Sequence, residues 1–316
     1  MKILIAIPCF NEELDIEKCI LNLTEIKNIL IKNYEIEIAI FDDGSTDKTS
    51  SIINNLKDVT YIKTKQNYGL SRVFNNIMFY CKTLNLDYLI LFDADNQYPY
   101  KEIKDILQFA LENKGDITLG VRDFRKINIF SKFKSLLQIY GSFVISFFLG
   151  VKIYDVTTGF RIYSSKALEN LYVTNNFSYT IETLFAAKNR NLKILQYSLS
   201  EYYRTRDSRL FSSNMEYLKK TLKILFSSIL IYRRKIFFRI YILTILPGLF
   251  LIFRFINNYL KFDGYEGNVQ SLLVGSAMIT LTTIFYTMLL IISYMKKNML
   301  EVEKSTYSTN YEIVKL

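Results

Sequence analysis

The sequence predicts an α/β domain, a mostly parallel sheet flanked by helices, with interfacial amphipathic helices and a two-helix transmembrane anchor after it. Three observations carry this expectation. Short runs rich in Ile, Val, Leu and aromatics alternate with polar stretches of helical spacing through residues 1–115, which is the pattern of βαβ units. Chemically unusual groups sit where the apolar runs end, and ligands in open α/β sheets bind beyond the carboxyl ends of strands. Two segments in the last third are apolar enough to span a bilayer and carry basic flanks.

In chain order, KILIAIP (2–8), IEIAIFD (36–42), VTYIKT (59–64) and YLILFD (88–93) read as strands. Their unbroken apolar character fits strands covered on both faces. Residues 12–31, 46–56, 70–84 and 100–113 read as the intervening helices, and DITLGVR (116–122) as a further strand. The first run stops at Pro8 and turns acidic, so it reads as a strand and not a signal peptide. The apolar stretch 135–150 is too short to cross a membrane comfortably and follows Lys132 and Lys134. An interfacial helix near 132–150 is expected there, with an ordinary core helix as the alternative.

A juxtamembrane amphipathic helix is expected at 213–235, spans at 236–258 and 269–295, and a tail at 296–316. Arg239 and Arg254 lie near the ends of the first span, where they can snorkel, and membrane helices tolerate its Pro247-Gly248 pair. Arg233, Arg234 and Lys235 precede the spans and Lys296 and Lys297 follow them, while the connecting loop holds Asp263 and Glu266. The positive-inside rule then puts both termini and the catalytic domain in the cytoplasm.

The formal charge is +10 over 316 residues. The basic clusters flank apolar segments, a membrane pattern, so no nucleic-acid partner is expected. The chain has no His, which excludes Ser-His-Asp and Cys-His catalysis, His metal sites and imidazole bases. Three cysteines, Cys9, Cys19 and Cys81, form no CxxC motif and read as small buried residues.

Four strand ends are loaded: PCFNE (8–12), DDGSTD (42–47), KQNYG (65–69) and DADNQ (93–97). Residues two apart on a strand share a face, so Asp93 and Asp95 can converge on one hard cation, with Gln97 adding a neutral oxygen. Mg²⁺ and Mn²⁺ accept such ligands and take the rest from phosphate and water. A turn capped by Asp and Asn is the alternative. The chain has neither GxGxxG nor a GxxxxGK[ST] loop, so a nucleotide would be held by carboxylates and metal and not by a glycine cradle.

In this order and spacing, PCFNE, DDGSTD, DADNQ, GVR (120–122) and DVTTGFR (155–161) resemble the GT-A, family 2 glycosyltransferases. The polyprenyl-phosphate sugar transferases, such as dolichol-phosphate mannose synthases and bacterial undecaprenyl-phosphate glucosyl- or mannosyltransferases, are the nearest in pattern. The resemblance implies a Rossmann-like GT-A fold, with 1–115 as the nucleotide-sugar-binding half and 116–212 as the acceptor-binding half. It implies that Pro8, Phe10, Glu12 and Asp43 line the nucleoside pocket. Asp93, Ala94, Asp95 and Gln97 would hold the donor diphosphate, with Asp93, Asp95 and Gln97 on Mg²⁺ or Mn²⁺. Arg122 would reach a phosphate and complete the catalytic set with the two acids. Arg204 or Arg206, with Arg209, would close over the phosphates. Asp155, Thr157, Thr158 and Arg161 are expected near the acceptor phosphate, and Glu182 as a supporting or acceptor-side acid. Phe10 stands where Tyr is common, and RDSR (206–209) replaces the usual Gly-x-Ser-Lys, which blurs the match of Arg204 and Arg206.

The implied reaction is transfer of a hexose from a nucleotide sugar to a polyprenyl phosphate, undecaprenyl or dolichyl, at a lipid bilayer. Related anchors also admit a homo-oligomer. A lipid phosphate is already anionic, so the missing His costs nothing. A processive polysaccharide synthase is disfavoured, because its QxxRW element needs Trp and the chain has none. A non-catalytic membrane scaffold that kept the fold is the alternative from another class, as is another lipid or glycan acceptor.

Overall fold

The computed structural model describes residues 1–124, 132–175, 177–203, 214–261, 269–306 and 312–315. Residues 1–225 with 303–316 form one compact unit and residues 226–302 another.

In the first unit, β1 (Lys2–Cys9), β2 (Glu35–Asp42), β3 (Thr60–Lys63) and β4 (Tyr88–Leu91) alternate with α1 (Ile16–Leu30), α2 (Thr49–Asn54) and α3 (Leu70–Thr83). A 3₁₀ turn, Tyr100–Glu102, leads into α4 (Ile103–Glu112), followed by β5 (Ile117–Val121) and α5 (Lys132–Leu149). Next come β6 (Arg161–Ser164), α6 (Ser165–Asn170), α7 (Tyr179–Asn189), β7 (Ile194–Ser198) and α8 (Asn214–Tyr232). α9 (Arg234–Lys261), α10 (Val269–Thr306) and β8 (Glu312–Lys315) complete the chain.

The sheet has the order β7-β5-β6-β4-β1-β2-β3-β8. β1 pairs in parallel with β2 and β4, and β2 with β3. β1 is buried from Ile3 to Cys9, as a central strand covered on both faces must be. α1 turns Ile16, Cys19, Ile20, Leu23, Ile26 and Leu30 inward, the three-and-four spacing of a helix on a sheet. It starts at Ile16, after a turn in which the Asp15 and Ile16 N–H groups both donate to the Glu12 carbonyl.

Three strands go beyond the expected alternation. β7 pairs in parallel with β5. β6 inserts antiparallel between β4 and β5, with Leu91 and Leu119 both opposite Arg161. This insertion carries the DVTTGFR segment under the carboxyl end of β4. β8 pairs antiparallel with β3, in the region expected only as a tail.

In the second unit, Arg234–Lys261 and Val269–Lys296 are each 28 residues long, with mean hydropathy 2.2 and 1.8. Both are long and apolar enough to cross a membrane. Gly248 and Gly275 let the two helices meet: a Cβ on Gly275 would lie 2.8 Å from the Gly248 carbonyl oxygen. Tyr241 stacks on Tyr286 with ring centroids 4.7 Å apart.

Candidate active site

The β1, β2, β3 and β4 ends converge on one edge and are bolted together. Asn11 accepts the Thr46 N–H at 2.8 Å, its own N–H donates to Ser45 Oγ, and the Glu12 N–H donates to Thr49 Oγ1 at 2.8 Å. These bonds join the loop after β1 to the loop after β2. Asp42 accepts from the Ser45 N–H, the Ser50 hydroxyl and the Tyr61 hydroxyl, so it supports the loop from below. Asp43 is buried and accepts from the N–H groups of Tyr68 (2.9 Å) and Gly69 (2.7 Å). Burial still holds its carboxyl above the ordinary value. Phe10 is exposed on this edge, whereas Pro8 is buried in β1 and Ala94 lies in the core. Tyr68, within the KQNYG strand end, joins the site, as does Arg72, which has no sequence signal of its own. The Arg72 guanidinium lies 5.5 Å from the Tyr68 ring centroid.

Beyond β4, Asp93 and Asp95 form an acidic pair. Burial, and next the Asp95 charge, push the Asp93 carboxyl up to about 7. Asp95 Oδ1 accepts the Gln97 N–H at 3.2 Å. Asn96, in a left-handed conformation, donates to the Asp15 carbonyl and accepts from Asn22 on α1, which fixes the turn that aims its neighbours. The Gln97 side-chain oxygen accepts from the Tyr202 hydroxyl.

Arg122 follows β5 and is gripped on several sides. Its Nε donates to Asp155 Oδ2 at 2.6 Å and its Nη2 to Asp155 Oδ1 at 3.1 Å and Thr157 Oγ1 at 2.8 Å. Its guanidinium carbon lies 5.1 Å from the ring centroids of Phe124 and Tyr202 and 5.9 Å from that of Tyr98. The positive charge is therefore fixed close to Asp93, which it helps to keep ionised.

Three expected acceptor contacts prove to be internal. Asp155, Thr158 and Arg161 are each 0% exposed. Asp155 holds Arg122, Thr158 Oγ1 donates to the Gly120 carbonyl at 2.6 Å, and Arg161 bonds the turn that precedes it. The physical reason is β6, which begins at Arg161 and is paired on both sides, so the turn that leads into it is held inside the domain. Glu182 is likewise buried and accepts from the N–H groups of Thr174 and Asn175 and from both their side chains, so it holds a loop in place. Arg204, Arg206 and Arg209 lie outside the described residues. Sequence reasoning misses Tyr98 and Tyr202. Only their position beside DADNQ and before YRTRDSR hints at them.

The acid pair fits a hard divalent ion. Two adjacent carboxylates, one forced toward protonation by the other and by burial, carry the charge such an ion offsets. Among the described residues no group of three or more His, Cys, Asp or Glu could hold a metal, so an ion held by this pair would take its remaining ligands from substrate phosphate and water.

A profile of the family described as Glycosyl transferase family 2 matches residues 4–172. The chain belongs to this family. It is a glycosyltransferase by membership, and its acid pair lies inside the matched region. It is 27% identical over 225 residues to the UDP-N-acetylglucosamine–dolichyl-phosphate N-acetylglucosaminyltransferase of Methanococcus voltae, covering 64% of this chain and 86% of that one. It is 23% identical over 247 residues to the dolichyl-phosphate β-glucosyltransferase of Dictyostelium discoideum, covering 72% and 74%. Glucosyl-3-phosphoglycerate synthase of Mycobacterium tuberculosis, solved with Mn²⁺, UDP-glucose and phosphoglyceric acid, superposes with a TM-score of 0.55 at 16% identity, covering 72% of this chain and 78% of that one. That likeness establishes the GT-A fold.

Proposed function

We propose that this family 2 glycosyltransferase moves a hexose from a nucleotide sugar, of the UDP-glucose or GDP-mannose type, to a polyprenyl phosphate at the cytoplasmic face of a bilayer, with Mg²⁺ or Mn²⁺. The observation that carries the reading is a hydrogen-bond chain. Arg122 bonds Thr157, and Thr157 Oγ1 donates to Gln138 of α5 at 3.2 Å. The opposite side of α5 presents Leu136, Tyr140, Phe143 and Phe147, between 64% and 74% exposed. Their spacing of three and four puts them on one helix face, so a charged site is tied to an apolar surface suited to a membrane. α8 exposes a second stripe of Met215, Leu218, Leu222 and Phe226. Relatives named as dolichyl-phosphate transferases support the same acceptor class. The two apolar helices then serve as the anchor, with both termini cytoplasmic.

On this reading Asp93, Asp95 and the Gln97 oxygen hold the cation, which when bound offsets charge on the departing diphosphate. The Gln97 oxygen has two lone pairs, so it can keep its bond from Tyr202 and still ligate the ion. Phe10, Glu12 and the Asp43-anchored loop shape the nucleoside pocket. Arg122 is held rigid by Asp155 and three rings, so its charge is pre-organised toward phosphate at no cost during reaction. The acceptor phosphate oxygen is anionic at neutral pH, so positioning replaces general-base catalysis. Direct displacement inverts the anomeric centre, so an α-linked donor gives a β-linked lipid.

The test is transfer of label from a panel of nucleotide sugars into polyprenyl phosphate, by the full chain in detergent with Mg²⁺ or Mn²⁺, beside Asp95→Asn. Label entering the lipid only with metal, and not in the variant, is expected. Failure of all donors, with nucleotide sugar still bound, refutes the acceptor. Retained anomeric configuration by NMR refutes direct displacement.

A further inference from the structure

Arg161 is fully buried, yet among the described residues no carboxylate pairs with it. Its Nε donates to the Thr158 carbonyl at 2.9 Å, its Nη2 to the Val156 carbonyl at 3.0 Å and its Nη1 to Thr183 Oγ1 at 2.8 Å. Its guanidinium lies 5.6 Å from the Tyr179 ring centroid. A buried cation whose hydrogen-bond partners are neutral is costly, and this one commits two of its three bonds to the backbone of a single turn. Gly159 of that turn is held by two tyrosines. The Gly159 N–H donates to Tyr98 Oη at 2.8 Å, and the Gly159 carbonyl accepts from the Tyr179 hydroxyl at 3.2 Å.

The register shows what the turn supports. Leu91 lies opposite Arg161 in the antiparallel ladder, so two residues further on Asp93 lies opposite Gly159. The fit there is close: a Cβ on Gly159 would overlap the Asp93 carboxylate, 2.8 Å from its Cγ. Only a bare Cα leaves room for the acid, and its position depends on where the turn is held.

We propose that Arg161 is a positioning residue for Asp93, clamping the 156–160 turn so that Gly159 supports the carboxylate at the cation site. The inference rests on the reading of Asp93 as a cation ligand. It replaces acceptor-phosphate binding as the role of Arg161. Groups that orient a metal ligand typically weaken metal binding 10–100-fold when removed.

The experiment measures Mn²⁺ binding by EPR, and steady-state kinetics, on the full chain in detergent, for wild type, Arg161→Met, Arg161→Lys and Thr183→Val. Arg161→Met is expected to weaken Mn²⁺ binding about tenfold or more and to leave the KM for polyprenyl phosphate unchanged. Arg161→Lys should recover part of the loss. Thr183→Val removes one partner of the clamp and keeps the charge, so a loss of about threefold is expected. Thr183→Val decides the matter if the Arg161 variants do not fold. Unchanged Mn²⁺ affinity in the folded variants, or a rise confined to the KM for the lipid phosphate, overturns the proposal. Wild type that binds no Mn²⁺ overturns the cation reading itself, and this inference with it.

Discussion

Replacing Asp93 by asparagine should stabilise the metal-free protein. The Asp93 carboxyl is raised from an ordinary 3.8 to about 7, first by burial and then by Asp95. A carboxyl whose folded value exceeds its unfolded value favours folding when protonated and opposes it when ionised. In wild type without metal, stability therefore falls as pH rises from about 4 to about 7, and the full penalty applies above that. At about 1.4 kcal/mol per pH unit the displacement sets a ceiling of about 4 kcal/mol. The amide in Asp93→Asn has nearly the same shape as the carboxylate and carries no charge, so it escapes the penalty. Unfolding midpoints of the full chain in detergent with EDTA should differ by up to on the order of 10 °C at pH 8, and converge toward pH 4. Added Mn²⁺ should raise the wild-type midpoint and leave the variant unmoved. A variant no more stable than wild type at pH 8 would refute the claim that the acid pair is strained without a cation.

Three further outcomes follow from the same geometry. Gly159→Ala pushes a methyl group into the Asp93 carboxylate; transfer should fall at least about tenfold with circular dichroism unchanged, since overpacking costs only about 1–3 kcal/mol. Asp155→Ala strips Arg122 of a buried partner and should cost about 3 kcal/mol or more in urea unfolding, with turnover falling as well. Phe143→Glu with Phe147→Glu charges the exposed face of α5. Turnover on polyprenyl phosphate in vesicles should drop several-fold, while turnover on a short-chain phosphate in solution stays within about twofold.

The parallel core is legible because buried strands are unbroken apolar runs. KILIAIPC and EIEIAIFD announce themselves, and their acidic ends mark the site. β6 does not. RIYS is four residues long and opens with an arginine, so local pattern favours a loop, and only pairing on both sides makes it a strand. Missing β6 misplaces everything attached to it. DVTTGFR reads as a phosphate-facing loop until the antiparallel register turns Arg161 inward. Tyr98 and Tyr202 escape for a related reason. Each is one aromatic among many in the chain, and the bond between Gln97 and Tyr202 spans 105 positions in sequence. Asp93, Asp95 and Arg122 are legible because chemistry at a strand end is local.

β6 also has a consequence for how such a molecule can be divided or recombined. By chain position it follows residue 115, yet it supplies the neighbour that β4, within residues 1–115, requires. Residues 1–115 made alone would leave the β4 edge bare, an invitation to intermolecular strand addition. The two halves are interleaved and not concatenated. Swapping everything after residue 115 between relatives would replace the strand that flanks β4 and the turn that packs against Asp93. Chimaeras that keep β6 with its own β4, and graft only the surface of α5, retain both.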